Sequence, residues 1–337
     1  MPVIPVNQLT QISTTAFQKA GVPTEDARLI TDLLIKANLA GHDSHGVIRI
    51  PSYILGVRNN SIRPHPKIQI CDETPTSARM DGDGGFGQVV LTKGVEIALE
   101  KCNQTPISLV TVMNYSHCGQ LGSYARMISK QDRIGIVLLG KQKGAVVPWG
   151  GRTGRLYQNT LAIAVPSHKP FPVVLDMATS VAPFGKILMK RARNEPCPDG
   201  WLIDAEGNPT TNPHADFSKG EAGFLPLGGL TAGGQKGSGL TFMLGILATT
   251  LSGVGASGEG TLIISINSEY FTPIEVFKAE VDGFIDYLHA TPAATGFEEV
   301  LVPGERSHRE TQKRLKEGIF VEEETWQRIQ ELGAEWS

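Results

Sequence analysis

Cysteine is scarce and scattered: Cys71, Cys102, Cys118 and Cys197 form no C-x-x-C pair. That spacing excludes a zinc knuckle or a disulfide framework and leaves reduced thiols as the default. Charge is thin as well. Charged residues make up 19% of the chain and the net charge is -3, with no dense run of Lys and Arg. Neither nucleic acid nor an anionic membrane surface is therefore expected as a partner. No apolar run reaches the roughly 18 residues of a membrane helix, and "MPVIPVNQLT" has neither a basic n-region nor a long apolar h-region. A cytoplasmic enzyme is the expectation. No internal repeat or low-complexity linker divides the 337 residues, of which 40% are hydrophobic. A large core follows, in two or three interwoven substructures.

What is present is apolar periodicity punctuated by glycine and proline. Asn7 is placed to cap a first helix bearing Leu9, Ile12, Ala16 and Phe17, which Gly21 and Pro23 stop. Thr24 is placed to cap a second, with Glu25 and Asp26 in its first turn and Ala27, Ile30, Leu34 and Ala37 on its apolar side, ending at Gly41. From 77 to 176, β-branched runs at 107–113, 134–139, 161–165 and 172–177 alternate with amphipathic stretches near 88–104 and 120–131. These predict an α/β core. Residues 239–253 read as a mostly buried helix, 261–267 as a buried strand, and Thr272, Pro273 and Glu275 as a capping box opening another helix. The tail from 307 is charged and helical in pattern.

Several loops concentrate chemistry. "GHDSHGVIRI" (41–50) gathers two histidines, a serine, an aspartate and an arginine just past a helix end, where side chains can face a cleft. His42 and His45 have the spacing of a metal pair, but no third ligand stands at recognisable spacing, so no metal is expected. "GDGGFG" (82–87) satisfies G-x-G-x-x-G, yet the following strand ends in Met113, Asn114 and Tyr115 rather than the acid that would hold a ribose. A glycine-rich turn before a packed helix is the better reading. "NYSHCGQLGSYA" (114–125) sets His117 and two glycines between a strand and a helix, "LDMATS" (175–180) ends a strand, and "GGQKGSGL" (233–240) offers Lys236 without the Gly-Lys-Ser/Thr order of a phosphate loop. "PGER" (303–306) adds a charged turn.

Taken in order, "GHDSHGVIR", "NYSHCGQLGSYA", "VVPWGG", "LDMATS", "KGSGL" followed by "LSG", and "LVPGE" resemble the type 2 malate/L-lactate dehydrogenase family over nearly the whole chain. Within it the motifs look most like hydroxycarboxylate dehydrogenases, with relatives acting on diketogulonate, ureidoglycolate, sulfolactate or cyclic imino acids. The resemblance implies a non-Rossmann nicotinamide-binding α/β fold with a mixed sheet. It implies a helical substrate-side and dimerisation domain (1–70 with 290–337) around a dinucleotide-binding core (71–289). It also implies NAD(H) or NADP(H), a small carboxylate substrate and a homodimer. His45 resembles the family's proton donor/acceptor, Arg49 a holder of the substrate carboxylate, and Ser44 a group that hydrogen-bonds the substrate or orients His45; His117 is the rival proton donor. Were the segment a helix start, His45 and Arg49 would share a face. Cofactor contacts implied by the resemblance are His45, Gly119, Gln120, Leu121, Asp176, Met177, Ala178, Thr179, Lys236, Asn267, Pro303, Gly304, Glu305 and Arg306.

The reaction expected is interconversion of a 2-oxo and a 2-hydroxy acid by hydride transfer. The alternatives are reduction of a pyrroline or piperideine carboxylate, or a binding paralogue without turnover. Three features depart from the family pattern: "YQNTLAIAV" in place of a Gly-Thr-Asn-Pro lead-in, Lys141 and Lys143 where relatives often have small polar residues, and a short 254–260 segment.

Overall fold

The computed structural model describes residues 2–255 and 258–334. Ala256 and Ser257, in the middle of the short 254–260 segment, lie outside the described residues. The chain opens with β1 (Val3–Ile4) and the helices α1 (Val6–Lys19), α2 (Thr24–Leu39) and α3 (Ile50–Arg58). The central region runs β2 (Gln69–Glu73), β3 (Ser77–Gly85), α4 (Gly87–Cys102), β4 (Ile107–Tyr115), α5 (Gly122–Ser129), β5 (Ile134–Lys141), β6 (Thr160–Val165) and β7 (Val173–Ala178). Helix α6 (Phe184–Ala192) and the short strands β8 (Leu202–Asp204), β9 (Pro209–Thr210) and β10 (Ala222–Phe224) form a side layer. There follow α7 (Gly234–Gly245), which continues as a π-helical turn over 246–250, then β11 (Glu259–Ile266) and α8 (Ile274–His289). The chain closes with α9 (Glu305–Glu317), β12 (Ile319–Phe320) and α10 (Glu323–Ala334).

Seven strands form one sheet in the order β2-β3-β4-β11-β5-β6-β7. The pair β3–β4, joined through α4, is parallel and the other pairs are antiparallel, so the sheet is mixed. Strand alternation divides the apolar side chains between two faces. Val110, Val112, Val137, Ala162 and Ile263 pack with Val90, Leu91, Tyr124 and Ile128 of α4 and α5, whereas Leu138 and Leu262 pack with Leu244 and Ala248 on the α7 side. A separate core joins both ends of the chain: Leu9, Phe17, Ile30, Leu34, Ile50 and Ile54 meet Ile319, Trp326 and Ile329, and Ile4 pairs with Ile319 across β1–β12.

Three helix starts differ from the sequence expectation in one shared way. Pro5, Pro23 and Pro273, each with ψ between 136° and 145°, take the N-cap positions. Asn7 and Thr24 therefore lie inside their helices, and Thr272 precedes the cap. Proline fixes φ and has no N–H to orphan, so it starts these helices without a side-chain cap. At α8 the capping is done from outside, because Glu269 Oε1 accepts the N–H of Ile274 at 3.0 Å while Glu275 turns away to His168. The helix expected at 239–253 to be mostly buried is buried on one side only. Gly237, Thr241, Leu244, Gly245 and Ala248 meet the protein, while Phe242 (54%), Met243 (50%) and Leu251 (50%) are exposed.

The "GDGGFG" stretch starts a true βαβ unit, but its glycines serve chain packing. A Cβ on Gly87 would lie 2.3 Å from the Ser116 carbonyl, and one on Gly82 would lie 2.8 Å from that of Asn114. The segment after β4 thus occupies the space over the start of α4. Another glycine carries the α2–α3 junction: a Cβ on Gly46 would lie 2.0 Å from Asn38 Oδ1. Gly46→Ala should lower stability by about 1–3 kcal/mol, the usual cost of overpacking. Urea denaturation with the midpoint unchanged would show that Asn38 moves aside freely.

Candidate active site

The donor-rich junction between α2 and α3 is shaped by partners that lie outside it. His42 N–H donates to the Ala37 carbonyl as α2 ends, residues Asp43–His45 make one 3-10 turn, Gly46 is extended, and Val47–Arg49 make a second 3-10 turn. His45 and Arg49 are therefore not on one continuous helix. Their proximity comes from Arg49 Nε, which donates to the Ser44 carbonyl at 2.7 Å. Asn38, still in α2, clamps the turn from below: its Nδ2 donates to Asp43 Oδ1 at 2.6 Å and its Oδ1 accepts the Val47 N–H at 2.8 Å. From α9, Arg314 donates to the Asn38 carbonyl at 2.7 Å and to both oxygens of Asp43, at 2.6 and 3.1 Å. Asp43 is thus an anchor of the loop.

The loop after β4 brings the second histidine against the first. The His45 and His117 rings lie 5.6 Å apart at 22°. His117 Nδ1 accepts the Gly119 N–H at 3.3 Å and lies 2.6 Å from the Tyr53 hydroxyl, which in turn accepts from Gln88 Nε2 at 2.9 Å. A backbone N–H can only donate, so a neutral His117 carries its proton on Nε2. His45 is held differently: Nδ1 lies 3.0 Å from Ser44 Oγ, a hydroxyl able to donate or accept, so either tautomer fits. Enclosure and the adjacent Arg49 charge push the His45 pKa down to about 4. His117 is exposed to water, yet the protein packed around it, with Arg49, His45 and Lys141 nearby, pushes its pKa down too. Both imidazoles are neutral at physiological pH. Arg49 Nη1 and Nη2 have no hydrogen-bond partner among the described residues.

The residues singled out from sequence for a cofactor fall into three groups. Gln120, Leu121 and Asp176 meet at the start of α5, where Asp176 Oδ2 accepts the Gly122 N–H at 2.8 Å and burial pushes the carboxyl pKa up. Gln120 Oε1 is buried there without a partner. Gly119, at φ 75°, joins this group to His117. The Pro303–Arg306 turn abuts the start of β7, since Val174 N–H donates to the Pro303 carbonyl at 3.2 Å and a Cβ on Gly304 would lie 2.0 Å from the Pro172 carbonyl. Ser307 Oγ and His42 Nε2, 3.5 Å apart, join that turn to the α2–α3 junction. Glu305 itself is engaged by His289 and the Val302 N–H.

The remaining residues lie in or just after β7, on the α7 side of the sheet, or at its other end. Met177 and Ala178 are half-buried in β7; Thr179 is buried with its hydroxyl donating to the Asn159 carbonyl at 2.9 Å. Lys236 is exposed at the start of α7, on the sheet face opposite α5. Asn267 lies past the C-terminal end of β11, while the residues paired with Met113 and Lys141 are at its beginning. At ~3.3 Å per residue the strand separates Asn267 from that end by roughly 25 Å, and its Oδ1 caps a 3-10 turn by accepting from Glu269 N–H.

Sequence reasoning missed Asn38, Tyr53, Gln88, Glu259 and Arg314. Tyr53 had a signal, four residues beyond Arg49 in a helical pattern. Glu259 pairs with Lys141 at 2.9 Å at the end of the sheet, and nothing local in "ASGEG" marked it.

The malate/L-lactate dehydrogenase family model matches residues 4–330. Malate dehydrogenase of Pyrococcus abyssi is 37% identical over 98% of this chain and 93% of its own length. L-sulfolactate dehydrogenase of Methanocaldococcus jannaschii is 36% identical over 94% of this chain and 92% of its own. The crystal structure of malate dehydrogenase from Entamoeba histolytica superposes with a TM-score of 0.94 at 29% identity, covering 99% of this chain and 97% of that one. Sequence and fold agree from end to end, and the chain belongs to the malate/L-lactate dehydrogenase family.

Proposed function

We propose that this chain is a nicotinamide-dependent dehydrogenase interconverting a 2-hydroxy acid and its 2-oxo acid, using NAD(H) or NADP(H) in a non-Rossmann fold. One observation carries the reading: a guanidinium with two unengaged terminal nitrogens stands beside two near-parallel neutral imidazoles. Arg49 offers the substrate carboxylate a bidentate fork. His45 is the proton donor and acceptor, because rotation of the Ser44 hydroxyl lets its tautomer change while its Nδ1 contact survives. His117, with its proton fixed on Nε2 by Gly119, donates a hydrogen bond to the reacting oxygen. Burial is the larger cause of the low His45 pKa and the Arg49 charge adds to it; a carboxylate bound at Arg49 offsets that charge and so raises the pKa.

The dinucleotide, when bound, supplies or accepts the hydride. Gly119–Leu121, Asp176–Thr179, Lys236 and Pro303–Arg306 would hold it, and the unpartnered buried Gln120 Oε1 fits a polar ligand at the start of α5. The helical part, 1–70 with 290–337, would carry the substrate side and 71–289 the dinucleotide. Malate and sulfolactate, named for two relatives, are the first acids to assay. The exposed apolar face of α7 suits a homodimer contact; light scattering of active protein should give twice the chain mass, and monomer mass alone would contradict it.

Arg49→Met should chiefly raise KM for the acid, with some loss of kcat from misalignment of the reacting carbon. Steady-state kinetics showing KM unchanged would remove Arg49 from carboxylate binding.

His45→Asn should lower kcat by roughly 10²- to 10⁴-fold, the usual effect of losing a general acid or base. In the parent, kcat/KM for hydroxy-acid oxidation should hold level as pH falls and decline with a midpoint at about 4, as free His45 becomes protonated and ceases to accept. That acid limb should vanish in His45→Asn and persist in His117→Asn; the reverse pattern would move proton transfer to His117.

A further inference from the structure

We infer that the cleft between α5, the β6–β7 connection and α9 receives the phosphorylated adenosine end of the dinucleotide, and that the protein therefore prefers NADP(H) to NAD(H). This rests on the nicotinamide-dependent reading above and adds the choice of cofactor. The cleft has a volume of about 470 Å³, and its walls include Arg126, Lys130, Phe171, Ser307 and His308.

Arg126 points to the ligand. Its Nε is buried without a hydrogen-bond partner, and its nearest charge, Asp176, already accepts the Gly122 N–H. A guanidinium left without partners loses hydration and gains nothing in return, so a group that restores those bonds is strongly favoured. Burial lowers its pKa somewhat but leaves a cation at neutral pH. Lys130 lies four residues on, on the same side of α5, and is exposed. The other lining charges are engaged: Lys169 with Asp286, and Asp132 with Lys278 at 2.8 Å. An unmodified ribose is usually recognised by a carboxylate that accepts from its hydroxyls. Here the one carboxylate lining the cleft among the described residues is bound to a lysine, and the unengaged groups are cations. That donor set matches a phosphate dianion.

The rest of the cleft suits a nucleoside. His308 lies 6.4 Å from the Phe171 ring at 49°, and Pro166, Pro170 and Pro172 extend an apolar wall for a base. Two residues link the cleft to the candidate active site. Ser307 lines it and reaches His42, three residues before His45, and Arg126 lies in the helix whose first N–H is held by Asp176. From Gly122 to Lys130, α5 covers roughly 12 Å at 1.5 Å per residue, so a ligand extended along this helix passes from the histidines to the cations.

The test is binding rather than turnover. The full-length protein is titrated calorimetrically with NADPH, NADH, 2′,5′-ADP and 5′-AMP. NADPH should bind roughly 10- to 100-fold more tightly than NADH, the range for one or two charge-assisted hydrogen bonds, and 2′,5′-ADP should exceed 5′-AMP similarly. Arg126→Met should remove most of that preference while leaving NADH affinity nearly unchanged, and Lys130→Ala should narrow it. Arg126→Lys, which keeps the charge but loses the fork, gives the same comparison if the methionine variant does not fold. Equal affinity for NADPH and NADH, or a preference that survives in the Arg126 variants, overturns the inference and leaves the dehydrogenase reading standing. Failure of both dinucleotides to bind overturns both.

Discussion

The bidentate contact of Arg314 with Asp43 is the constraint on which the candidate site depends. It bridges residues 271 positions apart and is reinforced by the Asn38 carbonyl and amide. An exposed ion pair alone contributes little, but this side chain is only 17% exposed and its guanidinium donates to three different groups, Asp43, the Asn38 carbonyl and Glu310. It pins α9 to the end of α2, and the turn between them has few other means of keeping its shape. Gly46 is extended and Asn38 fills the space a side chain there would need. Because α9 starts at the Pro303–Arg306 turn, the same helix that braces the histidine loop also places the loop beside β7 and the wall of the adjoining cleft.

Electrostatics then decides what the braced residues can do. Burial, with the Arg49 charge adding to it, depresses both imidazoles and keeps them neutral and able to exchange a proton with a hydroxyl or carbonyl. Their roles separate because their Nδ1 partners differ. A backbone N–H fixes one tautomer at His117, whereas the Ser44 hydroxyl leaves both accessible at His45. Two histidines of similar surroundings thereby acquire different chemistry from a single difference in hydrogen-bond donor.

The sheet contributes by bringing ends together. Antiparallel pairing aligns the end of β5 with the start of β11 and the end of β7 with the start of β6, so Lys141, Glu259 and Ala178 emerge on one edge. Helices α5 and α7 cover opposite faces, which lets loops approach that edge from both sides. Asn267 emerges from the other edge, for the same reason.

The sequence by itself determined the α/β class, the positions of α4, α5 and the central strands, and the location of the histidine-rich stretch just past a helix end. These depend on local periodicity and on glycine and proline, whose effects act within a few residues. The ordered motifs were legible for the same reason, each being a short loop between two predictable elements. The helix starts at Pro5, Pro23 and Pro273 are not legible locally, because side-chain caps and proline caps leave similar patterns. Only the tertiary structure decided that Gly46 breaks the helix between His45 and Arg49, that Asp43 is consumed by Arg314, that Tyr53 and Gln88 fix His117, and that Arg126 lacks a partner beside a cleft. The contacts among these join residues from 35 to 271 positions apart. Their pairing depends on how the sheet and the returning C-terminal helices pack, which no local pattern encodes.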